Sequence, residues 1–152
     1  MTNGKNVKYF LDKLTESEKR YRTLVESITD YIYTVKVENG RAVSTTHGPG
    51  CIAVTGYTSE DYAADPNLWF RMIYDEDRKI VQEHTEKILA GNGVDPIEHR
   101  ITHKDGSIIW VKNSPVPHYD ESENLISYDG LIKDITENKS LESQLRHSQK
   151  MD

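Results

Sequence analysis

Apolar residues recur at Val7, Phe10, Leu14, Tyr21, Leu24 and Ile28, with Ser17 in the one polar slot of an alternating three-four spacing. That spacing is the a/d seam of a heptad. The seam starts well before any body exists to cover it, so residues 7–17 are expected to pair with a second chain as a coiled coil. Residues 21–28 suit either that seam or an amphipathic helix packed on its own domain. The period then changes. Residues 31–37 are β-branched and aromatic, Asn39-Gly40 is the strongest short hairpin signal, and residues 42–46 read as a returning strand.

Residues 48–73 are punctuated by Gly48-Pro49-Gly50, Gly56 and Pro66, which predicts helical turns over 51–54, 59–64 and 67–73. Asp75-Glu76-Asp77 supplies an N-cap and a negative first turn for a full helix with the stripe Ile80, Val81, His84 and Ile88, stopped by Gly91. Three strands follow. In residues 96–103, Ile97, His99, Ile101 and His103 share one face and Glu98, Arg100 and Thr102 the other. In residues 107–117, Ile108 and Trp110 oppose Ile109 and Val111, so this strand is expected to be covered on both faces. Residues 125–135 form the last strand, and Thr136 is placed to N-cap a final helix whose seam, Asn138, Leu141, Leu145 and Ser148, is only half apolar. This order predicts an α+β fold built on an antiparallel sheet. The expected division is an N-terminal helix over 1–29, a body over 30–136, and an outgoing linker helix over 137–152.

Composition narrows the function. The 152 residues carry 25 acidic against 19 basic side chains, a net charge of -6, with no basic stripe to neutralise a phosphate backbone. Nucleic acid and direct membrane contact are therefore not expected. A single cysteine suits a reducing cytoplasm, in a free protein or in the cytoplasmic part of a membrane-anchored parent. The mean hydropathy of -0.71 fits a small body with solvated helical arms.

Several short motifs then occur in order: Thr55-Gly56-Tyr57-Thr58-Ser59-Glu60, Asp75-Glu76-Asp77-Arg78, Glu98-His99-Arg100-Ile101, Lys104-Asp105-Gly106-Ser107 with Trp110-Val111, and Gly130 before Asp134-Ile135-Thr136. Together they resemble a PAS domain with its C-terminal PAC motif, as found in sensor histidine kinases. The resemblance implies a five-stranded antiparallel sheet in the order 2-1-5-4-3, with short helices and one longer helix over one face enclosing a cavity. At the chain's end, residues 145–151 (Leu-Arg-His-Ser-Gln-Lys-Met) resemble the entry to a kinase dimerisation helix. His147 has no acidic residue after it, so it is not assigned phosphotransfer.

The residues offer no nucleophile elbow, phosphate loop, His-Glu-x-x-His pair or ATP-binding set, so no catalytic residues are assigned and no chemistry on substrate is expected in this chain. His47 and Cys51 flank a Gly-Pro-Gly turn, but two ligands do not make a metal site; the expected state is a buried cysteine beside a surface or hydrogen-bonded histidine. Haem-binding PAS domains take an axial histidine from the long helix, yet here that position falls on Val81, one turn from His84. Flavin-binding ones carry an Asn-Cys-Arg-Phe-type motif where this chain reads Asp65-Pro66-Asn67-Leu68-Trp69-Phe70-Arg71. The resemblance thus argues against both cofactors.

What is left is a small-molecule cavity or a packed, ligand-free core, with Tyr33, Trp69, Ile73, His84, Ile97, His99, Ile101 and Tyr128 as the lining candidates. Asp134, Ile135 and Thr136 form the expected output junction, Asp134 fastening the strand end and Thr136 capping the helix. The expected whole is a sensory, homodimeric module acting through its outgoing helix on an effector in the same polypeptide, a histidine kinase of a two-component phosphorelay. The alternatives are a ligand-free interaction module, a haem or redox sensor, and a regulator of a cyclic-dinucleotide enzyme.

Overall fold

A computed structural model describes residues 3–150; the side chains of 3, 25–28 and 150 fall outside the description, and with them Ile28 of the predicted seam, as does Met151. Helix α1 (Asn3–Ile28) leads into β1 (Tyr31–Glu38) and β2 (Arg41–His47). Short helices α2 (Cys51–Thr55), α3 (Ser59–Ala64) and α4 (Leu68–Met72) follow, then a single 3-10 turn (Asp75–Asp77) and α5 (Arg78–Leu89). Strands β3 (Ile97–Thr102), β4 (Ile108–Tyr119) and β5 (Leu125–Asp134) lead to α6 (Thr136–Lys150).

The five strands form one antiparallel sheet in the order β2-β1-β5-β4-β3, as the resemblance implied. Asn39 and Gly40 both take positive φ, 52° and 75°, the geometry a two-residue hairpin needs to match strand twist. Along β1 alternate residues Tyr31, Tyr33, Val35 and Val37 are buried, and His99, Ile101, Val111, Asn113, Tyr128 and Ile132 continue that inner face across the sheet. Helices α2 to α5 supply Cys51, Val54, Tyr62, Leu68, Met72, Val81 and Ile88 against it. Fully burying one such aliphatic or aromatic side chain contributes about 1.5–3 kcal/mol, so this layer holds the body together.

Some expectations change. Asp77 does not cap α5 with its side chain; its carboxylate turns to β3, because the guanidinium and backbone N–H of Arg100 satisfy it better than orphan helix amides. Ile80 is 55% exposed and lies outside the α5 stripe, which runs through Val81, His84 and Ile88. The outer face of β4 is only partly covered: Ile108 is 42% exposed, while Trp110 is half-buried beneath the cations of Arg100 and Lys139. On α1, Val7, Phe10, Leu14, Tyr21 and Leu24 all stay more than half exposed, so residues 21–24 are not buried on their own body.

Candidate functional site

Between the inner face of the sheet and helices α3 to α5 lies a cavity of about 490 Å³, within the usual range for small-molecule sites. Tyr33, Trp69, Ile73, His84 and Tyr128 line it. Ile97, His99 and Ile101, also candidates, do not. Ile101 is fully buried and bridges to Ile73, and His99 sits behind Trp69 in an edge-to-face contact with centroids 6.0 Å apart. Ile97 is half-buried at the start of β3.

The lining also contains residues that the sequence did not single out for a pocket, chiefly His47, Tyr62, Asn113 and the exposed residues 42–45 of β2. Asn113 was within reach of the sequence, since it stands two residues from Val111 and so shares its inward face. Against expectation, His47 is neither on the surface nor hydrogen-bonded at Nδ1. It is 4% exposed, stacked on Tyr62 with centroids 3.7 Å apart, and its Nδ1 has no partner among the described residues. Cys51 is buried, its thiol directed at the carbonyl of Tyr57 at 3.4 Å. Among the described residues no group of three or more His, Cys, Asp or Glu is arranged to hold a metal.

Rings dominate the cavity wall. Tyr33 lies 5.6 Å from His47, 5.7 Å from Trp69 and 6.5 Å from Tyr128, distances at which aromatic pairs add to simple burial. Tyr33 is fixed from two sides. Asn113 Nδ2 donates to its hydroxyl at 2.9 Å, and Gly130, its direct partner on β5, leaves space for the ring: a Cβ there would lie 2.1 Å from it. Burial pushes the Tyr128 and Tyr62 phenols up to about 12 and the Tyr33 phenol higher still. Burial also lowers His47 and His99 to about 4, so both imidazoles are neutral at pH 7. His84 Nε2–H donates to the carbonyl of Asp95 at 2.8 Å, which fixes its ring.

At the far end of the central strands the chain builds its junction. Asp30 N–H donates to the carbonyl of Ile132 at 2.8 Å, and the Asp30 carboxylate accepts from Asp134 N–H at 2.7 Å and from Lys133 at 3.3 Å. Asp134 accepts from the backbone N–H of Thr136 at 2.9 Å and from its hydroxyl at 2.6 Å. The Thr136 hydroxyl does not cap α6. It accepts from Trp110 N–H at 3.0 Å instead, because the edge of β4 presents an unpaired donor there, and Asp134 meets the first amide of the helix in its place. Ile135 N–H returns a bond to the Trp110 carbonyl at 2.9 Å.

A second polar chain crosses the outer face. Asp77 accepts from Arg100 N at 2.7 Å, Nε at 3.0 Å and Nη2 at 2.7 Å, and these bonds hold its carboxyl below the usual range. Arg100 lies 5.1 Å from the Trp110 ring, Lys139 of α6 lies 5.0 Å from it, and Lys139 pairs with Glu98. The start of α5 and the start of α6 therefore rest on one cation and ring stack.

A five-stranded antiparallel sheet with helices over one face, a ring-lined cavity and helices rooted at its centre defines a class of α+β domain. Residues 45–132 match the model of the PAS fold, more than half of the chain, and the protein belongs to that family. Solved structures share the fold. One is a sensory box histidine kinase/response regulator from Burkholderia thailandensis E264, 18% identical with a TM-score of 0.67, covering 87% of this chain and 96% of that one. Another is the PAS domain of a protein from Colwellia psychrerythraea, 23% identical, TM-score 0.58, covering 78% and 97%. A third is the N-terminal domain of a diguanylate cyclase with PAS/PAC sensor from Marinobacter aquaeolei, 18% identical, TM-score 0.58, covering 72% and 97%. A curated relative, the uncharacterized protein y4lL of Sinorhizobium fredii (strain NBRC 101917 / NGR234), is 25% identical over 139 residues, and this chain spans 16% of its length. Among the described residues no helix is long and apolar enough to cross a membrane.

Proposed function

We propose that residues 30–136 form a cytoplasmic sensory input module that governs an effector of the same polypeptide through α6, with α1 as a homodimer seam. The observation that carries this reading is the junction. The sheet whose inner face lines the cavity is bonded directly to the first residues of α6 through Asp134, Thr136 and Trp110. A change of packing around Tyr33 or His84 thus has a short bonded route to the output helix. Couplings of this kind are about 1–3 kcal/mol, comparable with the loss of one or two such bonds.

The effector favoured is a histidine kinase, supported by the name of the Burkholderia relative and by the kinase-like sequence of residues 145–151. A cyclic-dinucleotide synthase is the second reading, supported by the Marinobacter relative. Phosphate incorporation from ATP and product formation from GTP, assayed on the parent protein, distinguish them. The expected result for Asp134→Ala is an intact fold by circular dichroism and an output that no longer responds to cavity substitutions such as Trp69→Ala. A response equal to that of the unaltered junction would overturn the reading. The seam is tested separately by sedimentation: Phe10→Asp with Leu14→Asp is expected to turn a dimer into a monomer.

A further inference from the structure

We infer that Lys13 and Glu18 direct α1 to pair with α1 of a second copy of this chain in one arrangement only, parallel and in register. This rests on the reading of α1 as a homodimer seam and adds the direction of the pair and the residues that select it.

The seam fixes which side chains flank it. With Val7, Leu14 and Tyr21 at the a positions and Phe10, Ser17 and Leu24 at d, the residue before each a is a g position and the residue after each d is an e position. Lys13 and Arg20 are therefore g, and Leu11 and Glu18 are e. Among the described residues no carboxylate pairs with Lys13 or Arg20 and no cation with Glu18. Lys13 lies over the ring of Tyr9 at 5.7 Å instead. The charges beside the exposed seam are thus uncommitted within their own chain.

The two directions bring different charges together. In a parallel pair each g position faces the e position five residues further along the second helix. Lys13 then meets Glu18 of the second copy, and symmetry makes the contact twice. In an antiparallel pair g faces g and e faces e. Full overlap layers Val7 with Leu24, Phe10 with Tyr21 and Leu14 with Ser17, which sets Lys13 against Arg20 along both edges and Glu18 against the apolar Leu11. Sliding that pair by one heptad leaves Lys13 on Lys13 or Arg20 on Arg20. Like charges placed face to face suppress the wrong arrangement.

Ser17 settles the register. Only a parallel pair without slip puts the two Ser17 hydroxyls in one layer, where each can donate and accept. A slip of one heptad loses the contact of Lys13 with Glu18 and layers Ser17 with Phe10 or Leu24. Parallel pairing also gathers both Asp30 roots, and with them both junctions, at one end of the coil. Antiparallel pairing would part the roots by roughly the length of α1.

Sedimentation equilibrium of the full 152-residue chain at low salt tests this with Lys13→Glu, Glu18→Lys and the double exchange. Each single reversal faces like charges along both edges of a parallel pair and is expected to weaken dimerisation about tenfold, while the double exchange restores it. An equimolar mixture of the two single variants, one of them 15N-labelled, is expected to give mainly the mixed dimer in native mass spectrometry. In an antiparallel pair Lys13→Glu would meet Arg20 and tighten the dimer, and that result overturns the proposal. So does a dimer indifferent to all three exchanges. Ser17→Cys gives a second readout: paired in register, the thiols are within disulfide reach, and a covalent dimer is expected in oxidising glutathione while Cys51 stays buried. A variant that dimerises without this crosslink overturns the register. A wild-type chain that sediments only as a monomer overturns the seam reading, and this inference with it.

Discussion

The carboxylate of Asp30 accepts the backbone N–H of Asp134 at 2.7 Å, so the residue just before β1 holds the last residue of β5. A charged acceptor on a backbone amide is among the stronger hydrogen bonds, and partial exposure moderates it here. Asp30→Ala is expected to cost about 1 kcal/mol in urea unfolding. Amide exchange should quicken at Asp134 and Thr136 while Ile101 and Val111 stay protected. Unaltered exchange at the junction would show that the bond restrains nothing.

Gly130 faces Tyr33 across the central strand pair, and an added Cβ would lie 2.1 Å from the ring. The ring is held by Asn113, so it cannot step aside freely. Gly130→Ala is expected to destabilise by about 1–3 kcal/mol through overpacking. Combined with Tyr33→Ala, the added methyl should cost almost nothing, and thermal melts of the four proteins of the cycle measure that coupling.

His47 and His99 are lowered by burial from 6.5 to about 4. The unfolded chain therefore binds protons first as the pH falls. Stability is full above about pH 6.5 and declines from there to about pH 4, by roughly 1–3 kcal/mol for each histidine. Burial lowers His47, whereas His99, also lowered by burial, feels Asp77, which raises it, and His84, which lowers it further. Urea midpoints taken across pH 4–7 should follow this slope, and His47→Phe should flatten it; an unchanged slope in that variant would remove His47 as its source.

Arg100 gives Asp77 a fork of side-chain bonds in addition to its own backbone amide. Arg100→Ala is expected to cost about 2 kcal/mol in thermal denaturation, since Asp77 loses two of three charge-assisted partners. Arg100→Lys should recover less than half, because an ammonium cannot fork and stacks poorly between Tyr74 and Trp110. The Asp77 carboxyl is held low, so its contribution is present above the usual carboxylate range and is lost as the pH falls through its folded value.

Much of the sheet was legible because period-two alternation tells which face a side chain takes, and Asn39-Gly40 dictates its own turn. Tyr33 and Tyr128 were placed on the inward face on that ground, and the PAS resemblance supplied the cavity beside them. Two of the misassigned residues fail for one shared reason. Asp77 and Thr136 both carry local capping chemistry, and both spend it on a partner far away in sequence, Arg100 and Trp110. Local spacing cannot see a competitor on another strand. His47 had the opposite problem: next to a glycine-rich turn it read as a surface or hydrogen-bonded histidine, while the stacking partner that fixes it, Tyr62, lies on a separate helix. Asn113 was available from its register with Val111, but a polar residue inside an apolar strand does not advertise a cavity.

The length of α1 has a mechanical consequence. Its 26 residues extend for about 39 Å from a root fastened at Asp30 to β5. A helix of that length is a lever: a tilt of about 1° at the root displaces its far end by roughly 0.7 Å. Motion within the body too small to disturb its packing would thereby be magnified along the arm as a sideways displacement of its exposed apolar face.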